Sequence, residues 1–124
     1  MKLLLDTHAA IWWLSDDARL GAAAAQQLRD DSNRVLLSAV VVWEAAIKRA
    51  IGKLATPGDL AATLLSAGVL PLPIELEHAA AAGELPQHHR DPFDRMLIAQ
   101  ATIERATIVS SDEALRAYDV PVLW

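Results

Sequence analysis

The chain of 124 residues contains no cysteine, one tyrosine and one phenylalanine. Without cysteine, a disulfide-stabilised scaffold, a thiolate zinc site and a cysteine nucleophile are all excluded. No apolar run approaches the roughly 20 residues that a bilayer-spanning helix needs. Because Asp6 and His8 interrupt the apolar start, we expect no secretion signal either. Together these absences predict a cytoplasmic protein with no membrane partner.

Positive charge is also scarce, with 11 Lys and Arg against 16 Asp and Glu and a formal net charge of -5. This balance argues against a protein that coats nucleic acid by bulk charge. It remains compatible with a nuclease that carries its positive charge as a bound metal. Hydrophobic residues make up 53% of the chain, enough for a buried core. We therefore predict a single domain spanning residues 1–124.

Short apolar runs alternate with helical patterns along the chain. Strands are predicted at 2–5, 34–37, 107–109 and 120–123, and 69–74 is expected to be extended because it contains two prolines. Helices are predicted at 9–14, 18–29, 38–50, 57–67, 75–82, 91–105 and 112–117. Thr56 is expected to cap the fourth helix, with Pro57 in its first position, and Gly83 to end the fifth. The alternation predicts an α/β fold, a three-layer α/β/α sandwich with a central parallel sheet.

Four acidic residues lie at or near the predicted strand-to-helix junctions. Asp6 follows the first strand, Asp112 follows the strand before the last, and Asp94 lies in the first turn of the helix that begins at Asp91. Glu44 lies about one and a half turns inside the helix that follows the second strand. Because open α/β sheets bind ligands at the carboxyl ends of their strands, we expect these four carboxylates to converge there.

Each acid also has a purely structural interpretation. Asp6, Asp91 and Asp112 are suited to capping the helices that they precede. Glu44 shares one helical face with three apolar residues, Val40, Ile47 and Ile51. That pattern predicts a face that packs inward, and the alternative is a salt bridge from Glu44 to Lys48, four residues on.

A cluster of four carboxylates needs protonation or a cation. Two carboxylates ~4 Å apart repel each other by about 4 kcal/mol at an effective dielectric near 20. Ligands that offer only oxygen favour magnesium or manganese over zinc. An ion held in this way activates water and stabilises a phosphodiester transition state. The pattern therefore indicates metal-dependent phosphodiester chemistry.

Longer motifs occur in a fixed order along the chain. They are LLLDTH at 3–8, SAVVVWEAAIK at 38–48, GKL at 52–54, LP at 85–86, HHRDPFDRMLIAQA at 88–101 and SSD at 110–112, with Tyr118 and Trp124 in the tail. In this order the motifs resemble the PIN-domain family, and within it the VapC-type toxin ribonucleases of prokaryotic toxin–antitoxin pairs. The resemblance runs over essentially the whole chain. Ser110-Ser111 departs mildly from the Thr of many relatives but retains a hydroxyl.

The resemblance implies a magnesium-dependent endoribonuclease, with Mn²⁺ able to replace Mg²⁺. Its catalytic acids would be Asp6, Glu44, Asp94 and Asp112. The metal would be bound by Asp6 and Asp94, with Asp112 holding it directly or through water, and Glu44 would orient or deprotonate the attacking water. Cleavage would leave a 5′-phosphate and a 3′-hydroxyl. The resemblance further implies an RNA substrate, a cognate antitoxin that neutralises the toxin of this type II pair, and a homodimer.

Local positive charge is expected to contact the RNA. The substrate-binding candidates are Thr7, Lys48, Arg90 and Arg95, and the outer-shell candidates at the metal are Asp91 and Ser38. The adjacent pair His88-His89 is expected in a loop that contacts substrate, because neighbouring side chains diverge on any regular element. Since Trp12 and Trp13 cannot both face one core from a helix, one of them is expected at the surface as a partner site.

Two other classes of protein stay open from the residues alone. One is an aspartate-based phosphoryl-transfer domain with Asp6 as nucleophile, although His8 occupies the position of the second Asp found in haloacid-dehalogenase-type enzymes. The other is a catalytically silent protein-binding domain, which the presence of all four acids disfavours. A covalent aspartyl-phosphate would identify the first class, and a metal titration would identify the second.

Overall fold

The structure is a computed structural model that describes residues 1–56 and 58–124. In this part of the chain, five parallel strands form one sheet in the order β3-β2-β1-β4-β5. The strands are β1 Lys2–Leu5, β2 Arg34–Ser38, β3 Leu70–Leu72, β4 Thr107–Val109 and β5 Val122–Leu123. Parallel pairing brings the carboxyl ends of β1 and β4 together at one edge of the sheet, with Leu5 opposite Val109.

Helices connect the strands. Their bounds are α1 Thr7–Leu14, α2 Ala22–Arg29, α3 Ala39–Ala50, α4 Leu60–Ser66, α5 Leu76–Glu84 and α6 Pro92–Glu104, and a short 3-10 helix covers Glu113–Ala117. Among them, α1 contacts α3 and α4, and α6 contacts α3 and α5. This arrangement confirms the predicted α/β class with a central parallel sheet. Within the described ranges, no helix combines the length and the apolar character that crossing a membrane requires.

The two central strands form the middle of the core. Leu3, Leu4 and Leu5 of β1 and Ile108 and Val109 of β4 have no exposed surface. Burial of successive residues means that both faces of these strands are covered, as expected in a parallel sheet. Each such side chain contributes roughly 2 kcal/mol by its removal from water. The junctions that follow β1 and β4 therefore start from the most firmly held part of the molecule.

The second and fourth helices begin several residues later than predicted. The second helix begins at Ala22 rather than residue 18, because the side chain of Asp17 accepts a hydrogen bond from the backbone N–H of Arg19 at 2.9 Å and closes a turn. The fourth begins at Leu60, and its N-cap is Asp59, whose Oδ1 accepts from the backbone N–H of Ala62 at 3.0 Å. The prediction of Thr56 as the cap is therefore wrong, and Pro57 lies outside the described residues.

The fifth helix also runs beyond its predicted end. It continues through Gly83 to Glu84, so the prediction that Gly83 ends this helix is wrong. Its start is held by Glu75, whose backbone N–H donates to Nδ1 of His78 at 3.0 Å. The last strand is shorter than predicted and begins at Val122.

Candidate active site

The predicted acids lie where the chain leaves the central strands. Asp6 directly follows β1 and caps α1, since its Oδ1 accepts from the backbone N–H of Ala9 at 2.8 Å. Asp112 lies beyond β4 and caps the 3-10 helix, since its Oδ1 accepts from the backbone N–H of Ala114 at 2.9 Å. Capping occupies one oxygen of each carboxylate. The structural and the functional interpretations of these two residues are therefore compatible.

Asp94 and Asp112 come together around a histidine. Nε2 of His89 lies 3.0 Å from Oδ2 of Asp94 and 3.5 Å from Oδ2 of Asp112. One ligand atom from each of the three residues lies within 4.8 Å of the others. The side chains of Asp94 and Asp112 are 21% and 45% exposed, so solvent reaches them. Residues 89, 94 and 112 are called the open cluster below.

Burial raises the pKa of Asp94 to about 7. The negative charge of Asp91 contributes to this rise, as do the charges of Glu44 and Asp112, while His89 opposes it. Three carboxylates thus act on the same side chain. The ionised form of Asp94 is disfavoured at this place, and a nearby positive charge would relieve that cost.

Asp6 has a related environment. Burial raises the pKa of Asp6, against the lowering effect of hydrogen bonds from the side chain of Ser110 and the backbone of Ala9. The charge of Glu44 raises this pKa as well. Glu44 is therefore electrostatically coupled to both Asp6 and Asp94, although the three residues stand on different elements.

Glu44 itself is buried, with 6% of its surface exposed, and both of its oxygens have partners. Oγ1 of Thr7 donates to Oε1, and Nζ of Lys48 lies 2.7 Å from Oε2. This hydrogen bond raises the pKa of Lys48. The salt bridge that the sequence left as an alternative is therefore formed. Residues 7, 44 and 48 are called the paired triad below.

The predicted inward packing of the later turns of α3 is wrong. Ile47 and Ile51 are 37% and 60% exposed. The buried residues of α3 are Val40, Val41, Glu44 and Ala45. The buried face of α3 thus ends after the first half of the helix. Beyond Glu44, this face continues with Lys48 rather than with Ile47.

Arg95, predicted to bind substrate, is engaged within the chain. Its guanidinium donates to four backbone carbonyl oxygens at 2.9–3.3 Å, those of Ala82, Leu85, Pro86 and His89. It thereby braces the segment between α5 and α6. Of the other predicted substrate contacts, Thr7 and Lys48 hold Glu44, whereas Arg90 is exposed.

The two outer-shell candidates have different surroundings. Ser38 is fully buried, accepts from the backbone N–H of Val40 at 3.1 Å and donates to Oε1 of Gln100 at 2.5 Å. Its hydroxyl therefore stabilises the core rather than the acidic site. Asp91 caps α6 through Oδ1, which accepts from the backbone N–H of Phe93 at 2.8 Å, and its charge acts on Asp94.

Sequence reasoning missed the place of His89. The expected divergence of the pair is present, because His88 is exposed and packs against the ring of Tyr118, with centroids 5.1 Å apart. His89 instead enters the acidic site, where its Nδ1 accepts from the backbone N–H of Asp91 at 3.1 Å. The available signal was its position two residues before a helix cap, which allows the loop to fold back on the cap.

The prediction for the tryptophans is also wrong. Trp12 and Trp13 are both partly buried against the core. Trp12 packs against Trp124 with ring centroids 5.7 Å apart, while Trp13 faces a cavity lined by Leu28 among others. The adjacent side chains of Trp12 and Trp13 thus lie against different parts of the chain. The tryptophan with the larger exposed fraction, 58%, is Trp43 of α3.

The donor set of this edge suits a hard divalent cation. The carboxylates of Asp94 and Asp112 converge, and the pKa of Asp94 is raised first by burial and then by the neighbouring negative charges. Carboxylate oxygens are the ligands that Mg²⁺ and Mn²⁺ prefer. The fold and the site thus define a parallel α/β domain with an acidic, cation-compatible site at the carboxyl edge of its sheet.

The model of the PIN domain family matches residues 3–121. The chain therefore belongs to the PIN domain family, and the resemblance drawn from its motifs is confirmed.

Known relatives agree with this assignment. The chain is 31% identical to Ribonuclease VapC22 from Mycobacterium tuberculosis, over 96% of this chain and 93% of the relative. It is similar in structure to VapBC2 from Rickettsia felis bound to a promoter DNA fragment, with a TM-score of 0.72, 13% identity and coverage of 98% and 97%. VapBC-1 from nontypeable Haemophilus influenzae aligns with a TM-score of 0.66, 21% identity and coverage of 98% and 96%. These two structures show that the fold is PIN-like.

Proposed function

We propose that this protein is a magnesium-dependent endoribonuclease and the toxin of a type II toxin–antitoxin pair. The observation that carries the proposal is the convergence of Asp94 and Asp112, with the pKa of Asp94 raised to about 7. Membership of the PIN domain family and similarity to a named ribonuclease support it. A toxin of this kind would act on RNA in the cytoplasm.

Asp6, Asp94 and Asp112 would hold the cation. When bound, Mg²⁺ supplies charge stabilisation at the scissile phosphate and lowers the pKa of water. Mn²⁺ prefers the same oxygen ligands and is expected to replace Mg²⁺. The cap bonds of Asp6 and Asp112 fix the orientation of both carboxylates before any cation arrives.

Glu44 would orient or deprotonate the attacking water. Thr7 and Lys48 each contact one of its oxygens, and a carboxylate oxygen has a further lone pair for another partner. Glu44 is therefore held in one orientation while it retains a lone pair for a water molecule. In-line attack would leave a 5′-phosphate and a 3′-hydroxyl.

Exposed cations would contact the RNA backbone. Arg90 lies next to the open cluster in sequence and is exposed, and Lys53 is exposed after the end of α3. Lys48 and Arg95 have partners within the chain. The few free cations and the net charge of -5 favour a substrate that is bound through the cation at the acidic site rather than by a broad basic surface.

A protein partner is part of the proposal. The neighbours from Rickettsia felis and Haemophilus influenzae are VapBC structures, and we propose a cognate antitoxin for this chain together with a homodimer. Support comes from the exposed apolar side chains of α3 and of the residue that follows it, since exposed apolar patches mark interaction sites. These are Val42, Trp43, Ile47 and Ile51.

The test is RNA cleavage by the purified wild-type chain and Asp94→Asn in Mg²⁺, with Asp31→Asn as an exposed acidic control. We expect the wild type and the control to cleave equally and Asp94→Asn to lose about 100-fold or more, because a metal contributes several kcal/mol at the transition state. Equal cleavage by all three proteins would refute the assignment. Phosphorylation of Asp6 by a phosphate donor would favour the phosphoryl-transfer alternative.

A further inference from the structure

The ring of His89 has a partner at each nitrogen. Nδ1 accepts a hydrogen bond from the backbone N–H of Asp91 at 3.1 Å, so the proton of the neutral ring lies on Nε2. Nε2 lies 3.0 Å from Oδ2 of Asp94 and 3.5 Å from Oδ2 of Asp112. The protonated edge of the ring thus faces two carboxylates at close range.

This arrangement argues against His89 as a metal ligand. A ligating nitrogen must present a lone pair, which would move the proton to Nδ1. There it would face the N–H group of Asp91, and two donors would oppose each other. Among the residues of the open cluster, the carboxylates are therefore the suitable ligands, and the histidine is suited to orient them.

The backbone of His89 is held as firmly as its ring. Its N–H donates to the hydroxyl of Tyr118 at 2.8 Å, and that hydroxyl donates to the carbonyl of Pro86 at 2.9 Å. Its carbonyl accepts from Arg95 at 3.3 Å. Tyr118 is 6% exposed. A buried tyrosine and a braced arginine thus fix the place of this histidine in a segment that otherwise has no regular structure.

We propose that His89 is a positioning residue that holds Asp94 and Asp112 in place for a divalent cation. The idea rests on the proposed function in that it assumes a cation at these carboxylates. Because Nε2 of His89 lies beside Oδ2 of Asp94, Oδ1 stays available to a cation. Loss of a residue that orients a metal ligand typically lowers metal affinity or activity by about 10- to 100-fold.

Binding of Mn²⁺ to the full chain, measured by calorimetry without RNA, tests the proposal. We expect His89→Ala to weaken Mn²⁺ binding by about 10- to 100-fold. His89→Gln should recover part of this loss, because its amide offers an N–H at a similar reach. His88→Ala is the matched control, since His88 is adjacent and exposed but packs against Tyr118. We expect this control to bind Mn²⁺ as the wild type does.

Tyr118→Phe keeps the ring and removes the hydroxyl that holds the backbone of His89. It should weaken Mn²⁺ binding in the same direction by a smaller factor, and it decides the question should His89→Ala fail to fold. In cleavage assays, His89→Ala should raise the Mg²⁺ concentration for half-maximal rate while the rate at saturating Mg²⁺ stays near that of the wild type. A purely structural role would not produce this split.

Equal Mn²⁺ affinity in His89→Ala and His88→Ala would overturn the proposal, and so would tighter binding by His89→Ala. Absence of Mn²⁺ binding in the wild type would overturn it together with the proposed function. A wild type that binds Mn²⁺ but leaves RNA intact would refute only the ribonuclease, because the comparison of the two histidine variants would still decide the role of His89.

Discussion

The open cluster and the paired triad place the same functional group in two different environments. In the paired triad, Glu44 is buried but has a partner at each oxygen. In the open cluster, Asp94 is partly exposed, lies among other carboxylates and has a pKa raised to about 7. Burial alone therefore does not make a carboxylate reactive. The carboxylate that a cation would bind lies among other carboxylates, and the one held in a single orientation has a partner at each oxygen.

The largest effect that would separate the two regions is on catalysis. Glu44→Gln should reduce RNA cleavage by about 100-fold or more, since a general base contributes that much, yet it should retain Mn²⁺ binding. Asp94→Asn should lose both. Asp31→Asn, at an exposed acid, is the control for both assays. Loss of Mn²⁺ binding in Glu44→Gln would mean that the two regions are one ligand set.

Thermal stability should respond to metal through the open cluster. At a Mg²⁺ concentration 100 times its dissociation constant, the unfolding free energy should rise by about 2.7 kcal/mol, and EDTA should reverse the change. Asp94→Asn should show little of this rise, because it lacks one of the converging charges. Differential scanning calorimetry measures both proteins, and an equal response would contradict a metal site at Asp94.

The metal-free protein should lose stability as the pH rises. The pKa of Asp94 is about 7 in the fold and near 3.9 in an unfolded chain. Its favourable contribution is therefore complete below pH ~4 and lost as the pH rises through about 7. We expect a loss on the order of 1–2 kcal/mol between about pH 5.5 and 8, after allowance for solvent screening.

Urea denaturation in EDTA at the two pH values measures this loss. Asp94→Asn should show a flatter dependence on pH, since it removes the titrating group. If the unfolding free energy of Asp94→Asn depended on pH as steeply as that of the wild type, the effect would come from other residues. Mg²⁺ should stabilise the wild type more at the higher pH, because protons compete with the cation for the carboxylates.

The smallest effect is expected at Lys48. Lys48→Met keeps much of the side-chain stem but leaves Glu44 with one partner fewer. We expect a loss of about 1 kcal/mol in unfolding free energy, more than an exposed pair would give, because Glu44 is buried while Lys48 is 36% exposed. Lys53 is exposed and follows the end of α3, so Lys53→Met should change the unfolding free energy little. Equal stability of the two variants would mean that the salt bridge contributes nothing.

Much of the fold was predictable because it depends on patterns within single elements. Apolar runs at Lys2–Leu5 and Thr107–Val109 and the Asp91-Pro92 start of α6 are local signals. The placement of acids at strand ends follows from them, since parallel strands present their carboxyl ends at one edge. Boundaries were less predictable where side chains such as Asp17 and Asp59 close turns with nearby backbone groups.

The sequence by itself determined the elements, the class of fold and the order of the acids, because these depend on residues close together in the chain. Only the tertiary structure decided that His89 lies between Asp94 and Asp112 and that Arg95 braces a loop instead of facing solvent. It also decided which side chains of α3 are covered. The residues in these contacts are not related by the repeat of a helix or a strand. Their contacts could therefore be identified only once the path of the loops and the packing of the helices were known.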